Sequence, residues 1–251
     1  MAPTRWVEDP QPPAGGGVGH GMPPIPSLEV VYRTDPEILA SVLPPPLVAP
    51  PEARVHVRIA EIDLRFGEYH HHEMVGYFAV DAMHEDIAGE YPLLIPIDLE
   101  SAVSISREKW GEPKKLADIE LRREGDHVEG RITRQGVTFV EIVGDVNGSL
   151  PVPEPQRTSQ FWFKFLPAAV GDGFDAGPLM VRLEQTRTVA SLEGVDGKLV
   201  LRDLPGCPVV DLPVLETESI RWAMRSSENT YHLVGPVDPV AFAPYAAIRY
   251  R

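Results

Sequence analysis

His127 to Val146 reads HVEGRITRQGVTFVEIVGDV, short runs rich in β-branched and aromatic residues and punctuated by glycine. Runs of this kind, bounded by turn residues, are strand signals. The same texture extends in both directions. ARVHVRIAEID (53–63) and EMVGYFAVDAM (73–83) alternate apolar and polar residues, and YPLLIPIDL (91–99) opens as a buried strand. Downstream come SQFWFKFLP (159–167), LMVRLEQTRTVASLEGV (179–195) and GKLVLRDL (197–204). Upstream, LEVVYRT (28–34) is a strand followed by Asp35, a helix N-cap, and Pro36 at the first helical position. PEILASVL is then one short helix, ended by PPPLVAPP. ESIRWAMRSS (218–227) is the last helix candidate. The pattern predicts a mainly antiparallel β domain with a few short helices (α+β), a single unit over residues 28–251 curled or closed in the manner of a barrel. Residues 1–27, PQPPAGGGVGHGMPPIP among them, are too rich in Pro and Gly to bury a core and are expected to form an irregular arm.

The 251 residues carry a formal net charge of −14. That excludes a phosphate backbone as a general partner, because non-specific nucleic-acid affinity comes from clustered cations. It equally disfavours docking on an anionic membrane. One cysteine, Cys207, allows no intrachain disulfide. With neither an apolar span nor a signal-type leader in view, the expectation is a cytoplasmic protein.

The stretch with most chemistry is SREKWGEPKKLADIEL, residues 106–121, where Lys114 and Lys115 follow Pro113. A lysine amine with a pKa near 10.4 is almost fully charged at neutral pH and is not a nucleophile. Burial or a cationic neighbour frees it. If the pair lies on a strand the two side chains point to opposite faces, and desolvation of the inward one is the larger effect. On its own, a Lys-Lys pair on a loop is equally two solvated charges.

Three ordered motifs give the pair a context. Arg107-Glu108-Lys109-Trp110-Gly111-Glu112-Pro113-Lys114-Lys115 is the first. Val31-Tyr32-Arg33-Thr34-Asp35 with Leu43-Pro44-Pro45-Pro46-Leu47 is the second, and Lys164-Phe165-Leu166-Pro167 the third. In these the chain resembles the acetoacetate decarboxylase-like superfamily, over about residues 28 to 227. The resemblance implies a lyase in which Lys114 forms a Schiff base with a small keto acid, without cofactor or metal, in a protein that is often a homo-oligomer. It implies Lys115 as the cationic neighbour, and Glu100 and Glu73 as the carboxylates that move protons. His71 rivals Glu73 for its place. Arg33 and Arg107 are the candidate groups for the substrate carboxylate.

The chain also departs from the family. The arginine that decarboxylases carry about eight residues before Arg33 falls here at Ile25, and a second family glutamate, expected near residues 57–60, has only Glu61 close by. These departures favour aldolase-dehydratase chemistry, pyruvate plus an aldehyde, over decarboxylation of a β-keto acid. A barrel that binds a keto acid without turning it over is the alternative of another class. The His70-His71-His72 run lacks the spacing of a metal site, since Glu73 follows at once and position 76 is Gly. GGGVG neither follows a strand nor opens a helix, so it is no phosphate loop. Phe161, Trp162, Phe163 and Phe165 are expected in the core, and Tyr69, Tyr77, Tyr245 and Tyr250 are open candidates for a pocket acid.

Overall fold

The structure is a computed structural model that describes residues 24–66 and 69–251, without the side chains of residues 64–71. The chain opens with β1 (Ile25–Arg33) and α1 (Pro36–Ser41). Asp35 caps α1 by accepting from the amides of Glu37 and Ile38, the expected arrangement. Then follow β2 (Arg54–Phe66), β3 (Tyr69–His84) and β4 (Ile87–Ile97), α2 (Glu100–Lys109), and β5 (Lys114–Leu116). A meander of β6 (Asp118–Glu124), β7 (His127–Arg134) and β8 (Val137–Ser149) leads to β9 (Gln156–Pro167) and β10 (Phe174–Leu201). β11 (Glu216–Pro236) and α3 (Pro239–Ala246) complete the chain's main elements.

The strands form one sheet. Along it β11, β1, β2, β3, β4, β9 and β10 are successive neighbours, and β10 pairs again with β11, so these strands close a ring. β10 is long enough for two tasks. Its first part pairs with β9 and β11, and its end, from Glu193 to Leu201, pairs with β8 and hangs the β6–β8 meander on the ring.

Period-two alternation sends one set of side chains outward under the meander and the other inward. The outward set is the core. Leu28, Val30 and Tyr32 of β1 and Val55, Val57 and Ile59 of β2 pack with Phe78, Val80, Val128, Ile132, Phe139, Ile142, Phe161 and Phe163. The meander lies so close that a Cβ on Gly76 would collide with Ile132. Burial of large apolar side chains, at ~1.5–3 kcal/mol each, makes this layer the main stabilising one.

Two sequence expectations are corrected. Glu218–Ser227 is strand, not helix: it lies inside β11 and pairs on both sides, with β1 and with β10. An isolated helix of ten residues is marginal, and two ladders outweigh it. The regular structure also begins at Ile25, inside the stretch expected to be irregular; residues 1–23 of that arm lie outside the described residues.

Candidate active site

Helix α2 ends in a glycine turn that sets the lysine pair. The amides of Gly111 and Glu112 donate back to the Ser106 carbonyl, and Gly111 takes φ +80°, where other residues are strained. A Cβ there would also meet the Phe163 carbonyl, so the turn is pressed against β9. Pro113 ends the helix, and β5 then lies parallel to β4, Lys114 beside Ile95 and Lys115 beside Pro96. Neighbouring residues of a strand face opposite ways. Lys114 therefore shares the inner face with Ile95, which packs with Tyr77 and Ala79 in a small cluster separate from the main core.

The Lys114 side chain is 12% exposed, its Nζ 3.3 Å from Glu112 Oε2 and donating to Ser106 Oγ at 3.0 Å. Glu112 and Ser106 are themselves buried. Beside them is an aromatic wall. Trp110 stacks on Tyr231 at 4.8 Å, and Trp162, packed with Val181 and Leu183, lies 5.9 Å from the same ring. Burial, and next the charge of Glu112, pushes the Tyr231 hydroxyl well above the usual phenol range.

Lys115 faces the other way. Its Nζ donates to main-chain oxygens of Gly206, Ile248 and Arg251 at 2.5, 2.8 and 2.9 Å. Burial pulls its amine down to about 8, with Arg134, Arg107 and Arg249 adding and Cys207 opposing. So the second lysine ties the C-terminal segment to the strand that carries the first. Lys115→Met is expected to leave three main-chain oxygens without their donor, at ~1–3 kcal/mol for each group left buried. We expect a clear fall in the urea midpoint, while keto-acid trapping on Lys114 persists. Loss of trapping at full stability would assign Lys115 a chemical role instead.

Farther along the inner face lies a buried charge cluster that sequence reasoning missed. Glu29 pairs with Arg225 and lies 3.3 Å from Arg58 Nε. Arg58 stacks over Tyr77 at 4.8 Å, and the Tyr77 hydroxyl donates to Glu90 Oε2 at 2.6 Å. Arg187 Nη1 holds the other Glu90 oxygen at 3.1 Å. Burial pushes both carboxyls up, but the guanidiniums prevail: Arg225, Arg58 and Arg187 bring Glu29 to about 2, and Arg187, His56 and Arg58 hold Glu90 well below the carboxylate range. Burial, with Arg58 crowding beside it, lowers Arg225 to about 9. Arg225 is the register partner of Ile25. A guanidinium thus stands on the rung next to the position where the family arginine is missing, and Arg58 stands among the positions where a glutamate was expected.

The residues singled out from sequence divide accordingly. Glu73 is buried on β3, two and four residues from Val75 and Tyr77, which puts it on the inner face with Lys114. Glu100 is exposed in the first turn of α2, and no described contact joins it to Lys114. Arg107 follows Ser106 on α2, and its guanidinium lies over Tyr250, 5.3 Å from the ring centroid. Arg33 is half exposed at the end of β1 and is held by Glu218 at 2.7 Å. Neither arginine touches Lys114 among the described contacts. The side chain of His71 lies outside the described residues, as does Tyr69's. Of the tyrosines weighed, Tyr77 lies on the inner face, Tyr245 packs on the core and Tyr250 is exposed. Among the described residues no group of three His, Cys, Asp or Glu side chains is arranged to hold a metal, and no helix is long and apolar enough to cross a membrane.

The family model described as acetoacetate decarboxylase matches residues 6–230 of the chain. The acetoacetate decarboxylase of Burkholderia vietnamiensis is 29% identical over 198 residues, 76% of this chain and 78% of that protein. Among solved structures, the acetoacetate decarboxylase of Legionella pneumophila superposes with a TM-score of 0.67 at 17% identity, covering 95% of this chain and 92% of that one. The enduracididine biosynthesis enzyme MppR, complexed with the condensation product of pyruvate and imidazole 4-carboxaldehyde, superposes with a TM-score of 0.68 at 16% identity, covering 85% and 90%.

Proposed function

The chain belongs to the acetoacetate decarboxylase family, and we propose that it is a lysine Schiff-base lyase that condenses a pyruvate-type keto acid with an aldehyde and then eliminates water. The observation that carries this reading is the Lys114 amine, turned onto the inner face of the ring with Ser106 and Glu112 at hydrogen-bonding range. The neutral amine attacks the keto carbon, and loss of water gives a protonated imine. That imine acidifies the neighbouring methyl group, and a base removes the proton to leave an enamine. The enamine carbon attacks the aldehyde, the new hydroxyl departs as water, and hydrolysis of the imine returns the amine. Glu112 and Glu73 are the carboxylates proposed to move these protons. The arginines around Glu29 and Glu90 supply the cationic field for the substrate carboxylate, which guanidinium groups suit by shape as well as charge.

The choice of condensation rests on the loss of the upstream arginine at Ile25 and on the likeness to a fold neighbour that holds a pyruvate–aldehyde product. A second reading, decarboxylation of a β-keto acid, is favoured by the named sequence relatives and by Arg225 standing beside Ile25. Product analysis separates them. Incubation with pyruvate and an aromatic aldehyde is expected to yield an unsaturated condensation product, with little carbon dioxide from acetoacetate. Rapid carbon dioxide release from acetoacetate with no condensation product would select the second reading.

A further inference from the structure

On the far side of α2 from Lys114 lies a cleft of about 640 Å³ between that helix, the end of β9 with the start of β10, and the C-terminal segment. Three cations line it, Arg107, Lys164 and Arg249, against one carboxylate, Glu108. None of the three has an ion pair with a carboxylate among the described residues. Elsewhere in this chain of net charge −14, Arg33, Arg54, Arg123, Arg131, Arg187 and Arg225 each pair with a glutamate. Carboxylates are abundant elsewhere and nearly excluded here.

The guanidiniums are also held in place by uncharged groups. Arg249 Nη1 donates to the Phe163 carbonyl at 2.8 Å, and its guanidinium lies 4.4 Å from the Phe165 ring centroid. Arg107 lies over Tyr250. Ring faces and a carbonyl fix the orientation of a guanidinium while leaving its charge for an incoming anion. Burial, with Arg107 close by, pulls Arg249 down to about 10 against the opposing effect of Tyr91 and Tyr250. The remaining walls are apolar, with Leu166 and Leu179 beside the two rings.

We propose that this cleft is a second ligand site, distinct from the inner face that carries Lys114, that takes a small organic monoanion with an apolar body, such as an aliphatic or aromatic carboxylate. The acidic group would sit between Arg107, Lys164 and Arg249, and the body against Phe165, Leu166 and Leu179. The site stands independently of the reaction proposed above. It does lie against the lysine pair from behind. Arg107 follows Ser106, which bonds Lys114, and Arg249 sits between Ile248 and Arg251, whose main-chain oxygens Lys115 holds.

The test uses the full chain and 4-bromobenzoate, which is not a keto acid. Calorimetric titration is expected to show saturable binding that weakens by about tenfold or more in the double variant Arg107→Gln/Lys164→Gln, both side chains lying at the cleft. Inorganic phosphate, which lacks the apolar body, is expected to compete at least about tenfold less well. In crystals soaked with the probe, the bromine anomalous peak is expected in the cleft. Absence of binding, equal binding by the double variant, equal competition by phosphate, or a peak only inside the ring would each overturn the proposal.

Discussion

Lys114→Ala is expected to abolish borohydride-dependent labelling by keto acids and to lower turnover by a factor on the order of 10⁴ or more, because the covalent step has no substitute. The fold should persist. Lys114 contributes to the strand edge through its backbone, and among the described residues its amine has Ser106 and Glu112 as polar partners. The loss of one cation leaves Glu112 buried without its partner, which costs on the order of 1–3 kcal/mol and lowers the melting temperature modestly. Circular dichroism beside labelling separates the two effects. Residual turnover within about tenfold of wild type would show that another group does the chemistry.

Arg225→Met carries the second large effect, on both stability and substrate binding. Removing one partner of a fully buried ion pair costs about 3–5 kcal/mol, and this pair, 15% and 23% exposed, is expected to lose somewhat less. Here Glu29 keeps the Ser27 hydroxyl at 3.0 Å, Arg58 at 3.3 Å and the more distant Arg187. The pH dependence follows from the sign of its shift. Glu29 titrates at about 2 against an ordinary 4.5, so the unfolded chain binds the proton first. Its contribution, on the order of 3 kcal/mol for about 2.5 pKa units, is complete above pH 4.5 and is lost as pH falls from 4.5 towards 2. In the variant the Glu29 pKa rises and this acid limb flattens, which urea midpoints between pH 2.5 and pH 7 (about the neutral reference) read directly. The variant's KM for keto acids should rise, as the inner face of the ring loses one of its guanidiniums. An unchanged acid limb and an unchanged KM would remove the cluster from both roles.

Much of the fold was legible because alternation is a local signal. LEVVYRT, ARVHVRIAEID and SQFWFKFLP all lie in strands, and Asp35-Pro36 caps the helix it announced. The same cap signal recurs at Asp238-Pro239, where Asp238 accepts from the amides of Val240 and Ala241 to start α3. It passes unnoticed because Pro244 interrupts the pattern behind it. Helix α2 lacks a side-chain cap at Leu99, so its start left no mark. ESIRWAMRSS misled because Ile220 and Met224 stand four residues apart, a helical spacing, while the pairing that decides the matter comes from β1 and β10, distant in sequence.

The site was legible only where a motif carried it. Lys114 and Lys115 stand out as a pair, but which amine is buried among main-chain oxygens depends on the register of β5 against β4. The Glu29–Arg58–Arg187–Arg225–Glu90 cluster draws on β1, β2, β4, β10 and β11, one charged residue in each of several strands. On a single strand each reads as an ordinary solvated charge. Ring closure alone brings them together, and no local pattern encodes it.

The central claim, an imine on Lys114, is tested most directly by reducing the wild-type protein with borohydride in the presence of pyruvate, followed by proteolysis and fragment-ion mass mapping across Pro113-Lys114-Lys115. The expected result is the mass of one reduced pyruvate adduct on Lys114, with Lys115 unmodified. A chain that gains no mass, or an adduct that maps to Lys115, would contradict it.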